Sequence, residues 1–184
     1  MDEYSNKITK HDFKGYHDRL KYLQLNFEND TARICKVERR ELKAKLSKVK
    51  YDLLLNYLGK KDSKIINTTK TIVINYYPGK DQCNSTGNNY YLMNLYKDYL
   101  KEVNTLEDVN QYFFYKSVDG LEFFRDSFNW LADDEKTIEQ LFFPLHYPCF
   151  SYVIIYPKGE YYLYKGEYYL PEIFDKLKDY KLSK

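Results

Sequence analysis

Hydrophobic spacing divides the chain near residue 65. Tyr16, Leu20, Leu23 and Phe27 recur at helical intervals and predict a helix over 11–28. The polar stretch "FENDTAR" breaks it, and Asp30 or Thr31 is placed to cap a second helix that runs to about Leu58 and stops at Gly59. Cys35, Leu42, Leu46, Val49, Leu53 and Tyr57 form the apolar stripe of that helix. Residues 1–65 are therefore expected to be a helical N-terminal extension. Beyond the polar connection "GKKDSKIINTTK", the pattern changes period. "TIVINYY" (71–77) is β-branched and free of glycine, which predicts a strand. Tyr91, Leu92, Leu95, Tyr99 and Leu100 predict a helix over 88–103. "QYFFYKS" (111–117) is a second strand, and 119–143 holds one or two helices. "FSYVIIY" (150–156) is a third strand, apolar enough to be buried on both faces. "PKG" turns the chain into a fourth strand over 160–166, and "LPEIFDKLKDYKL" closes as a helix with Pro171 early in it. The order β-α-β-α-β-β-α over 66–184 predicts an α/β domain with a central mixed four-stranded sheet and helices on both faces.

Charge and composition narrow the function only a little. The 184 residues carry a formal net charge of +2, which gives no global attraction for polyanions. The segment "KVERRELKAKLSKVK" (36–50) is basic and 98–140 is acidic. The basic run reads either as a nucleic-acid or acidic-membrane contact or as the solvated face of a long helix; the solvated face is preferred, and no nucleic-acid partner is expected. The second helix would be about 40 Å long, so part of its stripe needs cover, from a helical-hairpin cap or from a weak homodimer that joins the basic and acidic faces. No apolar run reaches the roughly 18–20 residues that span a bilayer, so no transmembrane segment is expected. No apolar leader is visible, which points to a cytoplasmic protein, or to a periplasmic or secreted one if a leader has been removed. The sequons at Asn29, Asn67 and Asn84 are read as chance in an Asn-rich chain, and the 22 tyrosines as codon bias rather than an aromatic binding surface.

Candidate chemistry centres on sulfur. Three cysteines do not make a disulfide framework and allow at most one internal bridge. Cys35 lies on the apolar stripe and reads as a small buried residue. Cys83 lies in "YYPGKDQCNSTG", between the first strand and the helix that follows. A thiolate at a helix N-terminus is stabilised by unpaired N–H groups and the helix dipole, and Lys80 is near in sequence. The adjacent acids Asp133, Asp134 and Glu135 point to different faces and read as a solvated charge run. Trp130, Phe123, Phe124, Phe128, Phe142 and Phe143 read as core rather than as a peptide groove. No phosphate-binding loop, dinucleotide fingerprint or His-Glu-x-x-His motif is present, and no cofactor is expected.

The order of elements from residue 71, with "INYYPGKDQC" at one end and "FSYVIIYPKGEYYLYKGEYYLPEIFDKL" at the other, resembles the thioredoxin-like superfamily, including thiol-disulfide reductases and, faintly, peroxiredoxins. The resemblance implies a three-layer thioredoxin-like fold. It departs from the family at the active site, where Cys83-Asn84-Ser85-Thr86 replaces Cys-x-x-Cys. It implies Cys83 as attacking sulfur, with Pro148 near the place of the family's cis-proline. It also brings the "HYPC" loop beside Cys83, so that Cys149 pairs with Cys83 as a disulfide, or Cys83, Cys149 and His146 form a soft metal site. The implied activities are a thiol-disulfide oxidoreductase or peroxiredoxin-like enzyme acting on a protein substrate. The alternatives are a degenerate module that binds a protein partner, or a Cys/His metal-binding chaperone.

Overall fold

A computed structural model of the chain describes residues 1–184 other than 3, 5, 29, 85–88, 123–124 and 183–184. In chain order the elements are α1 (Lys10–Phe13), β1 (Tyr22–Glu28), β2 (Arg33–Arg39), β3 (Glu41–Lys45), α2 (Lys48–Asp62), β4 (Thr71–Tyr77), α3 (Asn89–Val103), β5 (Val109–Tyr115), β6 (Trp130–Ala132), α4 (Thr137–Phe142), β7 (Ser151–Ile155), β8 (Glu160–Tyr164) and α5 (Glu172–Leu182).

All seven residues of β4 are buried, because helices cover both of its faces. Side chains alternate across a strand, so Ile72, Ile74 and Tyr76 pack with Leu54 and Leu58 of α2 and Ile138 of α4. Val73 and Tyr77 point the other way, into a core with Tyr96 and Tyr99 of α3 and Ile173 and Phe174 of α5. β7 is likewise buried throughout. The mixed sheet runs β3-β8-β7-β4-β5-β6. β4 is parallel to β5 and antiparallel to β7, with Ile74 opposite Tyr112 on one side and Val153 on the other. β8 returns antiparallel to β7. Six strands form this sheet among the described residues, not four: β3 extends one edge and the short β6 the other.

The expected helical extension is not formed. β1 and β2 are an antiparallel hairpin, with Leu25 opposite Lys36. The spacing of Tyr16, Leu20, Leu23 and Phe27 is an accident of composition: Leu20 is 82% exposed, whereas Leu23 and Leu25, two apart, are both buried. That is strand alternation, with Gln24 turned outward. The basic stretch is likewise split. Part of it is β3, which pairs with β8 at the sheet edge. The helix starts only at Lys48, where the Ser47 side chain accepts a hydrogen bond from the Lys50 amide. It passes through Gly59, whose missing side chain leaves room for the Lys64 carbonyl, and ends at Ser63 in the left-handed conformation. Leu42, Val49 and Leu53 are exposed rather than a continuous stripe, so the long helix and the helical-hairpin cap built on it fall away together.

Charged residues thought to be solvated hold elements together. Glu38 is buried between Lys36 and Lys165, 2.6 Å from each Nζ, and joins the hairpin to the end of β8. Arg40 adds hydrogen bonds from Nε to the Arg19 carbonyl and from Nη1 to the Lys165 carbonyl. Asp133 is buried and caps α4, accepting hydrogen bonds from the Ile138 and Glu139 amides and from the Tyr57 hydroxyl. Asp134 and Glu135 pair with Lys61 and Lys60 of α2. Among the described residues of 119–143, expected to hold one or two helices, there is one helix, the short α4, preceded by the short strand β6. Phe128, Trp130, Phe142 and Phe143 are core; Phe123 and Phe124 lie outside the described residues. Cys35 is half-buried in β2, not in a helix stripe. Among the described residues no helix is long and apolar enough to cross a membrane.

The buried ion triad makes a testable prediction. Burial pushes the Glu38 carboxyl up, and Lys165 and Lys36 more than offset it, so it titrates below the usual carboxylate range. A depressed carboxyl contributes stability above its unfolded value, about 4.3, and loses that stability as pH falls through its lower folded value. Glu38→Gln should therefore flatten the acid limb of the stability profile. Glu38→Ala, which leaves Lys165 without its buried partner, should cost about 3 kcal/mol in denaturant unfolding. A profile unchanged by Glu38→Gln would show that the triad is already solvated.

Candidate functional site

Pro78 ends β4, since it has no N–H to donate, and the chain turns over Gly79, at φ +115, against Ser117. The turn that follows is organised by two short polar side chains. Asp81 Oδ1 accepts from the amides of Cys83 (2.8 Å) and Asn84 (3.0 Å). Asn84 Oδ1 accepts from the Asp81 amide (2.8 Å), and its Nδ2 donates to the carbonyls of Gly79 (3.0 Å) and Cys149 (3.3 Å). Such Asx turns are the usual use of Asp and Asn in loops. Here they also reach across to another loop. Asp81 Oδ2 accepts from the Cys149 amide at 2.9 Å and stands 3.0 Å from His146 Nε2. The Asp81 side chain is only 15% exposed, so one carboxylate joins the loop after β4 to the loop before β7.

Cys83 and Cys149 form a disulfide, with Cα atoms 5.2 Å apart and a separation of 66 positions in sequence. The two sulfurs have different surroundings: Cys83 is exposed, whereas Cys149 is 6% exposed. Cys149 adopts φ +67, an unfavourable conformation for a residue with a side chain. The Asp81 bond to its amide and the Asn84 bond to its carbonyl hold it there.

A cleft of about 220 Å³ opens beside the disulfide, lined on its apolar side by Tyr91, Leu95, Tyr96, Phe150, Tyr168 and Leu170. Behind it runs a chain of neutral hydrogen bonds. Tyr99 donates to Gln111, Gln111 donates to Asn75 Oδ1, and Asn75 Nδ2 bonds the Tyr168 hydroxyl at 3.0 Å. Burial pushes the Tyr168 and Tyr99 hydroxyls well above the ordinary tyrosine range.

The structure therefore brings Cys83, Cys149 and His146 to one place and separates them from other expected features. Cys83 lies in a turn, and how it joins α3, which is described from Asn89, falls in residues 85–88, outside the described residues; its amide is bonded to a carboxylate. The immediate electrostatic neighbour of the sulfurs is thus negative, which works against a thiolate. Lys80 is exposed and close enough to Glu122 to contribute to lowering its carboxyl, after the Glu122 and Gly120 amides. Pro148 is trans, as is every described peptide bond, so it does not supply the family's cis-proline. His146 is 46% exposed and faces Asp81. The three donor atoms that cluster are those of Asp81, Cys83 and Cys149, and His146 is not among them. The sequence reading singles out neither Asp81 nor Asn75, and Asn84 stands out in it only as a sequon and as the residue after Cys83. The signal for Asn75 was there, a lone amide inside an apolar strand. Asp81 and Asn84 look like any turn residues until the second loop is placed against them. The Asn84 side chain has both ends engaged in hydrogen bonds.

Two substitutions test the clamp. A bridge closing a loop of this length stabilises by about 4 kcal/mol in the chain-entropy account, so replacing both cysteines by serine should lower unfolding free energy by that order. Asp81→Ala leaves the Cys83, Asn84 and Cys149 amides without their acceptor and should cost about 2–3 kcal/mol with the disulfide intact. A loss below about 0.5 kcal/mol in urea unfolding would mean that water takes over those amides.

The chain matches no protein-family model, and no curated protein is similar enough in sequence to count as a relative.

Proposed function

We propose that this chain is a divergent thioredoxin-like protein that exchanges thiols and disulfides with a protein partner. Cys83 is the sulfur that meets the partner, and Cys149 is the inner, resolving sulfur. One observation carries the reading: the disulfide joins an exposed cysteine, Cys83, to a buried one, Cys149, and both line an apolar cleft. The arrangement of β8, β7, β4 and β5 around that site, with β4 and β5 parallel and the other two pairings antiparallel, is consistent with it.

The exchange balances without any further group. A partner thiolate attacks Cys83 Sγ, the S–S bond breaks, and Cys149 leaves and takes up a proton. A second partner thiol then attacks the mixed disulfide and releases Cys83. The partner dithiol loses two electrons and becomes a disulfide, and the protein disulfide becomes a dithiol. The cleft beside Cys83 offers aromatic and aliphatic surface to the residues flanking the partner cysteine.

The second reading is a degenerate binding module in which the disulfide is a permanent staple. The Asp81 carboxylate favours it, because a negative charge beside both sulfurs disfavours the thiolate that exchange requires.

Equilibration with dithiothreitol and glutathione buffers separates the two. Exchange predicts a midpoint between about −200 and −270 mV, and a staple predicts one below about −300 mV. Exchange also predicts that Cys149→Ser leaves Cys83 as a reactive thiol that forms a mixed disulfide with an aromatic disulfide reagent. A Cys149→Ser variant whose Cys83 does not react in the folded protein would sink this reading.

A further inference from the structure

Asp81, Cys83 and Cys149 each present one donor atom, and these atoms lie within 4.8 Å of one another. In the disulfide the sulfurs hold each other and can hold nothing else. Reduction by a dithiol changes this: the S–S bond takes up two electrons and two protons and becomes two thiols, while the reductant becomes a disulfide. The loops have independent reason to stay in place, because Asp81 bonds the amides of both cysteines and Asn84 bonds the Cys149 carbonyl. The dithiol state is therefore a preorganised pair of sulfurs with a carboxylate beside them.

We propose that the reduced chain binds a borderline-soft divalent cation, zinc foremost, through Cys83 Sγ, Cys149 Sγ and one Asp81 carboxylate oxygen, with water in the fourth position. The inference rests on the reading that the disulfide can be reduced in the folded protein. A tetrahedral zinc, with bonds of about 2.3 Å to sulfur and 2.0 Å to oxygen, needs sulfurs about 3.8 Å apart and each about 3.5 Å from the oxygen. The sulfur-to-oxygen spacing lies within the 4.8 Å span of the cluster, and the sulfurs, bonded to each other in the disulfide, have to part by about 1.8 Å on reduction to take up the ion. Two thiolates select zinc over magnesium or calcium, which take oxygen ligands. The ion displaces both thiol protons, and the carboxylate that disfavours a free thiolate becomes a ligand. Oxidation to the disulfide removes two of the three donors, so the site is open only in the reduced protein.

The clamp also says what the ion must displace. A carboxylate has about four lone-pair positions. In the oxidised protein Oδ1 serves the Cys83 and Asn84 amides, and Oδ2 serves the Cys149 amide and faces His146. His146 is the only one of these partners that is a side chain, and it is exposed, so the ion takes its place. His146 is a competitor for the site and not a ligand.

The test uses the full chain, reduced with a phosphine, freed of reductant under nitrogen and titrated with Co(II), then with Zn(II) as displacer. The expected result is one Co(II) per chain with a sulfur-to-metal charge-transfer band of two-thiolate intensity, bleached by Zn(II). Cys83→Ser and Cys149→Ser should each remove that two-thiolate band. Asp81→Asn should weaken binding at least about 100-fold, the upper end of what outer-shell changes cost, with circular dichroism confirming that the variant is folded. His146→Ala should bind more tightly by a few-fold. Asp81→Asn binding as tightly as the parent would remove the carboxylate from the site, and weaker binding by His146→Ala would make the histidine a ligand; either overturns the assignment. Thiol titration of the same sample separates the failures. Three free thiols, Cys35 among them, without a charge-transfer band overturn the metal site and leave the exchange reading standing. One free thiol, that of Cys35, overturns both.

Discussion

Burying both faces of one strand is the constraint from which the rest of this structure follows. β4 presents seven buried residues, and each alternate side chain needs a separate apolar layer. One layer is supplied by α2 and α4, the other by α3 and α5. The neighbouring strands must then be central or edge according to how much of them can be covered, and β7, buried throughout, takes the inner position while the fully exposed β3 takes the rim. The lone amide in β4, Asn75, is tolerated because Gln111 and Tyr168 satisfy it with neutral hydrogen bonds. A charge there would have no counter-ion.

The candidate site is a consequence of where that strand ends. The chain leaves the sheet at Pro78 beside the loop that enters β7, since the two strands are antiparallel neighbours. Two loops meeting at a sheet end leave several amides unpaired, and Asp81 takes three of them with one carboxylate. Geometry and electrostatics then pull in opposite directions. The clamp sets two sulfurs at bonding distance, which favours the disulfide, while its charge opposes the thiolate through which such a bond is exchanged. In the proposed exchange the asymmetry of exposure would leave Cys83 open to attack, and in the proposed metal site the carboxylate that resists a thiolate would serve as the third donor.

Much of the sheet was legible because its strands are long, apolar and β-branched. The four inner strands and the helices α3 and α5 fall within a residue or two of where hydrophobic periodicity places them. The N-terminal third was misread for a specific reason. Leu20, Leu23 and Phe27 fit a helical stripe, whereas the alternation of Leu23 and Leu25 fits a strand, and only burial distinguishes the two. Ser47 was the missed local signal: a hydroxyl placed three residues before the amide it accepts from marks the true start of α2. The acids at Asp133, Asp134 and Glu135 were read as solvated because their partners, Tyr57, Lys60 and Lys61, stand more than seventy residues away.

By itself the sequence determined which segments can bury both faces, where proline and glycine must turn the chain, and that sulfur is its one prominent candidate for chemistry. These are local properties, set by side-chain shape, periodicity and backbone freedom. Tertiary structure alone decided that residues 22–45 join sheets rather than stack as helices, that Glu38 and Asp133 go inside, and that Asp81 lies between Cys83 and Cys149. Those outcomes depend on what stands opposite each residue in space, since a buried carboxylate survives only where donors or cations meet it. No pattern along the chain encodes a partner that distant.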